Sequence, residues 1–440
     1  MRPDPLASAP NIVLVTTDSL RADHVYGDAV ETPAHDALSS RGQTYYQAFA
    51  QGPFTTFSMP SLFTSRYPSS LRYLEFSDKT IGVYIEDEPT IPGVLRERGY
   101  ETAGFHSNPL LSNLFGFDSG FDAFDARLPL SGLNVLPGRA KILTDKLLRM
   151  VRKHPYLPAE KLTTKGLNWL DERNGDAPFF LWLHYMDVHG PYQSKSGWSY
   201  RNKYRGERLW RKAVTRPAAV TDEERERLKE WYREEIEYTD RCLGRLVNGL
   251  DDRGLLDETL VVATADHGEQ FGEHGRYSHP HQVYEELIRV PLIVAGPGRA
   301  DEDVDDIVEL VDVGPTLSRA AGADVPESFV GDGLEPGRRD EAVAISEAEL
   351  VPTYTGSVRT DRWKYIREGD DEMLFDLDSD PDELEDVSGR ETELCEDLAT
   401  RLDDHLSVSG RDIGPDRSVA NVDIDEGKTE DRLRDLGYLE

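Results

Sequence analysis

Four short apolar stretches give the clearest signal along the chain. They are Asn11–Val15, Pro178–Tyr185, Leu260–Thr264 and Val290–Ala295, and each consists mainly of consecutive apolar residues. A strand that is apolar on both faces is typical of a parallel sheet covered by helices on both sides. The pattern therefore predicts an α/β fold with a central, mostly parallel sheet flanked by helices.

A long amphipathic helix is predicted before the third of these strands. It begins at Thr221–Glu224, a sequence with the form of a capping box. A single apolar face follows at helical spacing, formed by Leu228, Trp231, Tyr232, Thr239, Cys242, Leu243 and Leu246. Because Cys242 belongs to that face and Cys395 is far away in sequence, we expect a buried thiol and not a disulfide.

The pattern changes after Gly337, where short strands and turns replace the longer elements. The predicted strands are Ala342–Ile345, Ser357–Arg359, Trp363–Ile366 and Met373–Leu377. We therefore expect a large domain over residues 1–336 and a small α+β domain over residues 337–440, whose antiparallel sheet packs on the first. The tail from about Ser409 is polar and rich in acidic residues.

The charge of the chain excludes several kinds of partner. Its 440 residues include 83 acidic and 50 basic side chains, for a net charge of −33. Such a chain repels nucleic acids and anionic membrane surfaces. The start of the sequence lacks an apolar core of signal-peptide length, and no run approaches a membrane span, so the sequence predicts a cytoplasmic protein without membrane insertion. Nothing in the sequence indicates an oligomeric state.

The acidic residues are spread along the chain, which is typical of a protein adapted to high salt. Repulsion among carboxylates destabilises the folded state in dilute buffer, and salt screens it. We therefore expect the melting temperature to rise steeply between dilute buffer and molar salt, as measured by circular dichroism. A melting temperature independent of salt would refute this halophilic adaptation.

Metal-ligating side chains follow two of the predicted strands. Asp18 follows the first strand, and Asp266 and His267 follow Leu260–Thr264. Because the carboxyl ends of parallel strands share one edge of a sheet, these side chains are predicted to converge. Carboxylate and imidazole ligands suit one divalent cation, Mn²⁺, Mg²⁺, Ca²⁺ or Zn²⁺, with Mn²⁺ preferred. The alternative for Asp18 is a helix N-cap.

Hydroxyl groups and histidines supply further candidates. Thr55, Thr56 and Ser58 lie near the start of a predicted helix, where a hydroxyl is either a helix cap or a nucleophile activated by a metal. His189 stands beside a Gly-Pro turn, which disfavours a role in core packing. His106 follows another predicted strand, and a loop histidine is the alternative there.

The segment Lys195–Arg216 is basic, in contrast to the rest of the chain. It is either a solvated insertion or one wall of a cleft for an anionic substrate.

Several landmarks in the same order resemble the sulfatase family of the alkaline phosphatase superfamily, from Asn11 to about Asp386. They are Asn11–Asp18, Thr64–Pro68, Gly99–Ala103, His189–Tyr192, Asp266–Gly275, Lys364–Ile366 and Leu374–Leu377. The resemblance implies an alkaline-phosphatase-like fold, a catalytic domain over residues 1–336, and hydrolysis of sulfate or phosphate esters.

Several positions depart from the family pattern, and three of them bear directly on the chemistry. The oxidisable Cys or Ser of sulfatases falls at Thr55, counted back from Thr64, and its methyl group prevents oxidation to formylglycine. The family's second metal aspartate falls at Ser19, and a later family lysine falls at His279. These departures are similar to the branch with one metal and a threonine nucleophile, and the acidic composition indicates a haloarchaeal member.

The resemblance implies a role for each candidate. One divalent cation is bound by Asp18, Asp266 and His267, Thr55 attacks, and His189 and His279 stabilise the transferred oxygens or protonate the leaving group. His106 and His281 are weaker candidates. The expected substrate is an anionic ester, either a small molecule or a polymer. Phosphoesters or phosphodiesters are favoured, for hydrolysis or transfer; the alternatives are a sulfuric-ester hydrolase and a catalytically inactive binding relative.

Overall fold

The structure of the protein is a computed structural model that describes residues 9–76, 79–126, 156–192, 200–335, 344–350 and 353–408. The predicted domain boundary between residues 336 and 337 lies outside these ranges, and so do the predicted acidic tail from Ser409 and residues 195–199 of the basic segment.

The described strands, numbered in chain order, alternate with helices through the first three quarters of the chain. They are β1 (Asn11–Thr17), β2 (Gly42–Phe49), β3 (Arg72–Phe76), β4 (Lys79–Tyr84), β5 (Glu101–Phe105), β6 (Ala123–Asp125), β7 (Phe179–Tyr185), β8 (Thr259–Ala265), β9 (Gln270–Phe271), β10 (Tyr277–Ser278), β11 (Arg289–Ala295), β12 (Glu302–Glu309), β13 (Ala344–Leu350), β14 (Thr353–Arg359), β15 (Trp363–Glu368) and β16 (Asp371–Asp376).

The described helices are α1 (Ala22–Val25), α2 (Pro33–Ser39), α3 (Thr55–Thr64), α4 (Ile91–Glu97), α5 (Ala159–Glu172), α6 (Tyr200–Thr215), α7 (Asp222–Asp251), α8 (Glu285–Ile288), α9 (Val313–Ala320) and α10 (Thr392–Val408). The predicted capping box at the start of α7 is confirmed: the Thr221 hydroxyl accepts from the backbone of Glu224, whose side chain accepts from the backbone of Thr221. Cys242 is a buried free thiol, as predicted, and Cys395 is also buried and free.

The central sheet has eight strands in the order β12-β2-β11-β8-β1-β7-β5-β6. Strand β1 pairs in parallel with β7 and β8, and β5 pairs in parallel with β6 and β7. Strand β11 is antiparallel to both β8 and β2, while β12 and β2 are parallel. The prediction of a mostly parallel central sheet is therefore confirmed.

Apolar residues of the central strands are buried on both faces of the sheet. In β1, Ile12 and Leu14 belong to one core cluster, and Val13 and Val15 belong to the other. Helices cover both faces, so all four side chains are at most 2% exposed. At roughly 25 cal/mol per Å² of apolar surface, this burial is the main stabilising contribution to the sheet.

A small antiparallel sheet follows in the C-terminal part, in the order β13-β14-β15-β16. Helix α10 packs on it through Leu398, Leu402 and Leu406, which confirms the predicted α+β character. The backbone amide of Ile345 donates to Glu309 at the end of β12, which joins the two sheets. Within the described ranges, no helix has both the length and the apolar character needed to cross a membrane.

A buried ion cluster also connects the small sheet to the first. The ammonium group of Lys364 in β15 is fully buried and lies 3.0 Å from carboxylate oxygens of both Glu285 and Glu383. Burial raises the pKa of Glu383 to about 8, although the charge of Lys364 opposes that shift. Lys364 thus supplies positive charge to both buried carboxylates, and Arg359 also lies 3.7 Å from Glu285.

We expect Lys364→Met to destabilise the protein by about 3–5 kcal/mol, because it removes the ammonium partner of buried Glu383 and leaves Glu285 with Arg359 at 3.7 Å. The free energy of unfolding in denaturant, at constant salt, measures the effect. The double variant Lys364→Met/Glu383→Gln removes one of those carboxylates and should recover part of the loss. Equal stability of the single variant and the wild type would contradict the assignment.

Candidate active site

The register of the central sheet brings the predicted metal ligands together. Thr17 at the end of β1 is paired with Ala265 of β8 on one side and with Tyr185 of β7 on the other. Asp18 and Asp266 each follow directly, so they leave two neighbouring parallel strands at the same edge. This is the position at which open α/β sheets form their sites.

Asp18, Asp266 and His267 have ligand atoms within 4.8 Å of one another, and all three are fully buried. The Nδ1 atom of His267 lies 2.8 Å from the carbonyl oxygen of Gly268, so it is the protonated nitrogen and donates there. Its Nε2 atom has no hydrogen-bond partner in the described part of the chain, and lies 3.7 Å and 3.6 Å from Asp18 and Asp266 oxygens. A lone pair directed between two carboxylates fits a divalent cation.

The pKa values of the two aspartates are shifted in opposite directions from the usual value of an aspartate. Burial, followed by the negative charge of Asp18, raises the pKa of Asp266 to about 7. Burial also opposes ionisation of Asp18, but electrostatic attraction to His189, the hydrogen bond with His184 and attraction to His267 hold its pKa below the usual range. Two buried carboxylates that repel each other indicate a missing positive charge, which one divalent cation would supply.

Thr55 is the first residue of α3, and its side chain points to the same cluster. Its hydroxyl donates to Oδ2 of Asp266 over 2.8 Å and lies 3.3 Å from Oδ2 of Asp18. The N-cap of α3 is Phe54, and no side chain among the described residues caps the helix, so the hydroxyl of Thr55 is not used as a helix cap. Of the two rival hydroxyls, Thr56 is half-buried, and Ser58 is buried without a hydrogen-bond partner among the described residues.

The two predicted catalytic histidines contact each other beside the cluster. The Nε2 atoms of His189 and His279 are 3.0 Å apart, and Nδ1 of His189 lies 2.6 Å from the carbonyl oxygen of Gly190. That carbonyl holds a proton on Nδ1, so one further proton is shared between the two Nε2 atoms. The ring of His279 is 4.7 Å from the ring of His267. Both members of the pair are half-buried, so they lie between the buried cluster and solvent.

The two weaker histidine candidates occupy different environments. His281 is half-buried, and its ring centroid lies 4.3 Å from that of Phe54, which also contacts His279. His106 is fully buried beside Trp182, with no hydrogen-bond partner for either ring nitrogen among the described residues. Burial lowers the pKa of His106 to about 3, so it stays neutral. The structure therefore places His281 beside Phe54, near His279, and keeps His106 in the aromatic core.

Three further side chains contact the aspartates and were not predicted as site residues. The side-chain amide of Asn108 donates to Oδ2 of Asp18 over 3.1 Å, and Nε2 of His184 lies 3.4 Å from the same oxygen. The backbone amide of Ser19 donates to Asp266, and its hydroxyl donates to Asp18. Ser19 has a φ of 61°, a left-handed conformation that aims both donors at the cluster.

The sequence offered a signal for only some of these contacts. Asn108 follows β5 at the carboxyl edge of the sheet, so its position was visible in the sequence. His184 lies within the apolar strand β7, where a histidine is typical of core packing. Its Nδ1 lies 2.8 Å from the hydroxyl of Thr16, which also accepts a hydrogen bond from the indole of Trp182.

A second cluster of metal-type ligands consists of His274, Glu286 and Glu383. The ammonium group of Lys364 lies 3.0 Å from Glu383, and the side-chain amide of Gln270 donates to Glu286 over 2.7 Å. Side chains of the protein therefore already supply a positive charge to Glu383 and a hydrogen bond to Glu286.

Comparisons with known proteins identify the family to which the chain is similar. Residues 10–323 match the family model described as Sulfatase, and residues 272–409 match the model for the C-terminal part of N-sulphoglucosamine sulphohydrolase. The chain is 25% identical to arylsulfatase K of Bos taurus over 456 residues, covering 90% of this chain and 81% of that protein. It is also 25% identical to choline-sulfatase of Rhizobium meliloti (strain 1021) over 458 residues, covering 92% of this chain and 86% of that protein.

The fold is also shared with solved structures. The phosphonate monoester hydrolase of Agrobacterium radiobacter superposes with a TM-score of 0.67 at 18% identity, covering 91% of this chain and 96% of that one. The alkaline-phosphatase-like architecture predicted from the sequence is therefore confirmed. Since the family model spans most of the chain, the protein is a hydrolase that belongs to the sulfatase family of the alkaline phosphatase superfamily.

Proposed function

We propose that the protein hydrolyses sulfuric esters, with the hydroxyl of Thr55 as nucleophile and one divalent cation as cofactor. The observation that carries the proposal is the buried hydroxyl of Thr55, which donates to Asp266 over 2.8 Å beside Asp18 and His267. The hydroxyl of Thr55 lies next to a carboxylate that can accept its proton and near an imidazole nitrogen, Nε2 of His267, that has no hydrogen-bond partner among the described residues. This is the arrangement needed for attack on an anionic ester.

The cation would be bound by Asp18, Asp266 and His267, and it would supply Lewis acidity that lowers the energy of a negatively charged oxygen. Two carboxylates and one imidazole suit Mn²⁺ well, with Mg²⁺, Ca²⁺ and Zn²⁺ as alternatives. Asn108 and Ser19 donate hydrogen bonds to Asp18, which keeps its carboxylate in one orientation. Such fixed ligands reduce the reorganisation required during the reaction.

The first chemical step transfers the sulfuryl group to the protein. The Oγ1 atom of Thr55 attacks sulfur while its proton passes to Oδ2 of Asp266, its hydrogen-bond acceptor. The bond between sulfur and the alcohol oxygen breaks, and that oxygen keeps the electron pair. It then takes a proton from an Nε2 atom of the His189–His279 pair, where one proton is already shared.

The second step regenerates the hydroxyl of Thr55. The methyl group on Cβ rules out an aldehyde hydrate at this position, so the sulfated threonine cannot expel sulfate by elimination. Release therefore requires a water molecule to attack sulfur, which breaks the bond between sulfur and Oγ1. A nitrogen of the histidine pair accepts the proton of that water, and Oγ1 takes back the proton that Asp266 accepted in the first step. The products are hydrogen sulfate and the free hydroxyl of Thr55.

The relatives support sulfate over phosphate. Arylsulfatase K and choline-sulfatase are both named for sulfuric esters, so they favour the sulfuric-ester alternative over the phosphoester preference drawn from the sequence. A phosphate or phosphonate monoester remains the second candidate because of one feature, the unmodified Thr55. Phosphoryl groups transfer readily through two successive displacements at phosphorus, the only route open to a threonine ester.

A matched set of substrates tests the proposal. We would measure kcat/KM for p-nitrophenyl sulfate, p-nitrophenyl phosphate and p-nitrophenyl phenylphosphonate with Mn²⁺, Mg²⁺, Ca²⁺ and Zn²⁺ in turn. A higher kcat/KM for the sulfate supports the proposal, and a higher value for either phosphorus ester selects the second candidate. Metal binding without turnover of any ester would instead identify an inactive binding relative.

A further inference from the structure

A basic cavity of about 850 Å³ lies between α6 and the start of α7. Among the lining residues, Glu224 is the single carboxylate. Six cationic side chains also line the cavity: Arg205, Arg208, Arg211, Lys212, Arg216 and Arg227. In the whole chain, acidic residues outnumber basic ones by 83 to 50. The cavity reverses that ratio, so its charge is not a consequence of overall composition.

Most of this positive charge has no counter-charge. Lys212 is paired with Glu224, and Arg227 is paired with Glu230 over 2.8 Å. Over the described residues, Arg205, Arg208, Arg211 and Arg216 have no ion pair with a carboxylate. Neighbouring guanidinium groups repel one another, and a bound anion would relieve that repulsion.

The chemistry of the lining indicates which anion fits. Guanidinium groups donate paired hydrogen bonds to planar carboxylates and to the oxygens of sulfate or phosphate. Leu209 and Trp231 add an apolar wall to the cavity, which suits the carbon skeleton of an organic ligand. A long polyanion would also have to cross the surface of a chain with net charge −33, which repels it. The cavity therefore fits a short ligand with several anionic groups.

Helix α6 connects this cavity to the active site. A Cβ atom added to Gly190 would lie 2.0 Å from the indole nitrogen of Trp210, and one added to Gly206 would lie 2.3 Å from the carbonyl oxygen of Tyr192. The buried side of α6 thus packs on the loop from His189 to Tyr192, while its arginines line the cavity. The loop that carries His189 and the arginines of the cavity are therefore in contact with the same helix.

We infer that the cavity is an accessory binding site for the additional sulfate or carboxylate groups of an oligosaccharide-sized ester. The choice of ligand rests on the proposed function, because the groups bound in the cavity would belong to the same ester whose sulfate group is hydrolysed at Thr55. An ester group at Thr55 and further anionic groups at the arginines would be bound at the same time. The substrate class is then an oligoanion and not a simple aryl or alkyl sulfate.

Isothermal titration calorimetry with sucrose octasulfate as the probe tests the inference without requiring turnover. The full chain is compared with Arg208→Gln/Arg211→Gln and with Arg241→Gln, at one salt concentration at which circular dichroism shows all three folded. Arg241 is the matched control because it lies on α7 outside the cavity lining. We expect the Kd of the double variant to rise at least about tenfold, since two charge-assisted contacts are lost, while the control keeps the wild-type value.

Equal probe affinity of the double variant and the wild type would overturn the site. An equal loss in Arg241→Gln would overturn it as well, because the attraction would then be general. A single-stranded oligonucleotide that binds the wild type more tightly than the sulfated probe would overturn the choice of ligand. If the wild type binds the probe as expected but hydrolyses no ester, the cavity assignment stands and the proposed function fails.

Discussion

Asp266→Ala is expected to lose both the bound metal ion and the hydrolytic activity. Asp266 is fully buried, contributes one of three predicted ligands, and accepts hydrogen bonds from Thr55 and from the backbone of Ser19. Loss of the cation removes several kcal/mol of transition-state stabilisation, so kcat/KM should fall about a thousandfold or more. Metal content per chain, measured by mass spectrometry after dialysis, and initial rates with p-nitrophenyl sulfate check the two parts separately.

Two further variants exclude a general loss of structure. Asp257→Ala removes a carboxylate that is paired with Arg41 at the surface, and it should bind metal as the wild type does. Asp266→Asn keeps an acceptor for the amide of Ser19 but removes the charge, so it should fold normally and bind metal weakly. Full metal occupancy in a folded Asp266→Ala would show that the cation is bound elsewhere.

Thr55→Ala is expected to lower kcat by about four orders of magnitude or more, because removal of a nucleophile leaves only the contributions of binding and of the remaining site residues. Thr55→Ser keeps the hydroxyl and should retain measurable turnover. Incubation of the wild type with a slowly hydrolysed ester, followed by intact-mass and peptide analysis, should locate the transferred group on Thr55. The hydroxyl of Thr55 is favoured because it lies 2.8 Å from Asp266.

The neighbouring hydroxyls provide matched controls in the same helix. Thr56→Ala and Ser58→Ala remove a hydroxyl from α3 without touching the aspartates, so both should keep most of the wild-type activity. Thr56 and Ser58 lie in the same first turn of α3 as Thr55. A comparison of the three variants therefore distinguishes loss of the nucleophile from a distortion of the helix. An adduct on Thr56 or Ser58, or wild-type turnover by Thr55→Ala, would assign the reaction to another hydroxyl.

The parts of the site at strand ends were predictable from the sequence. Asp18 and Asp266 follow apolar strands, and the carboxyl ends of parallel strands meet at one edge, so their proximity followed from the fold class alone. Thr55 required the spacing from Thr64 in the family motif, because a threonine at the start of a helix is locally typical of a cap. The mostly parallel sheet was also predictable, because its central strands are continuous apolar runs, as expected for strands that are buried on both faces.

Other contacts depend on tertiary packing that a local pattern does not contain. Asn108 and Asp18 are 90 positions apart, and only the final fold shows that the amide reaches the carboxylate. His184 lies in an apolar strand, where sequence patterns cannot distinguish a core histidine from a site histidine. The pairing of His189 with His279 likewise joins two loops, whereas each histidine alone had more than one interpretation.

The buried cluster of Lys364, Glu285 and Glu383 has a consequence for recombination between homologous enzymes. Lys364 and Glu383 belong to the C-terminal part of the chain, whereas Glu285 precedes β11 of the central sheet. A chimera that takes these segments from different parents would pair them only if both parents carry the same charges. Productive crossovers between residues 285 and 364 should therefore be confined to parents with matching residues at these three positions.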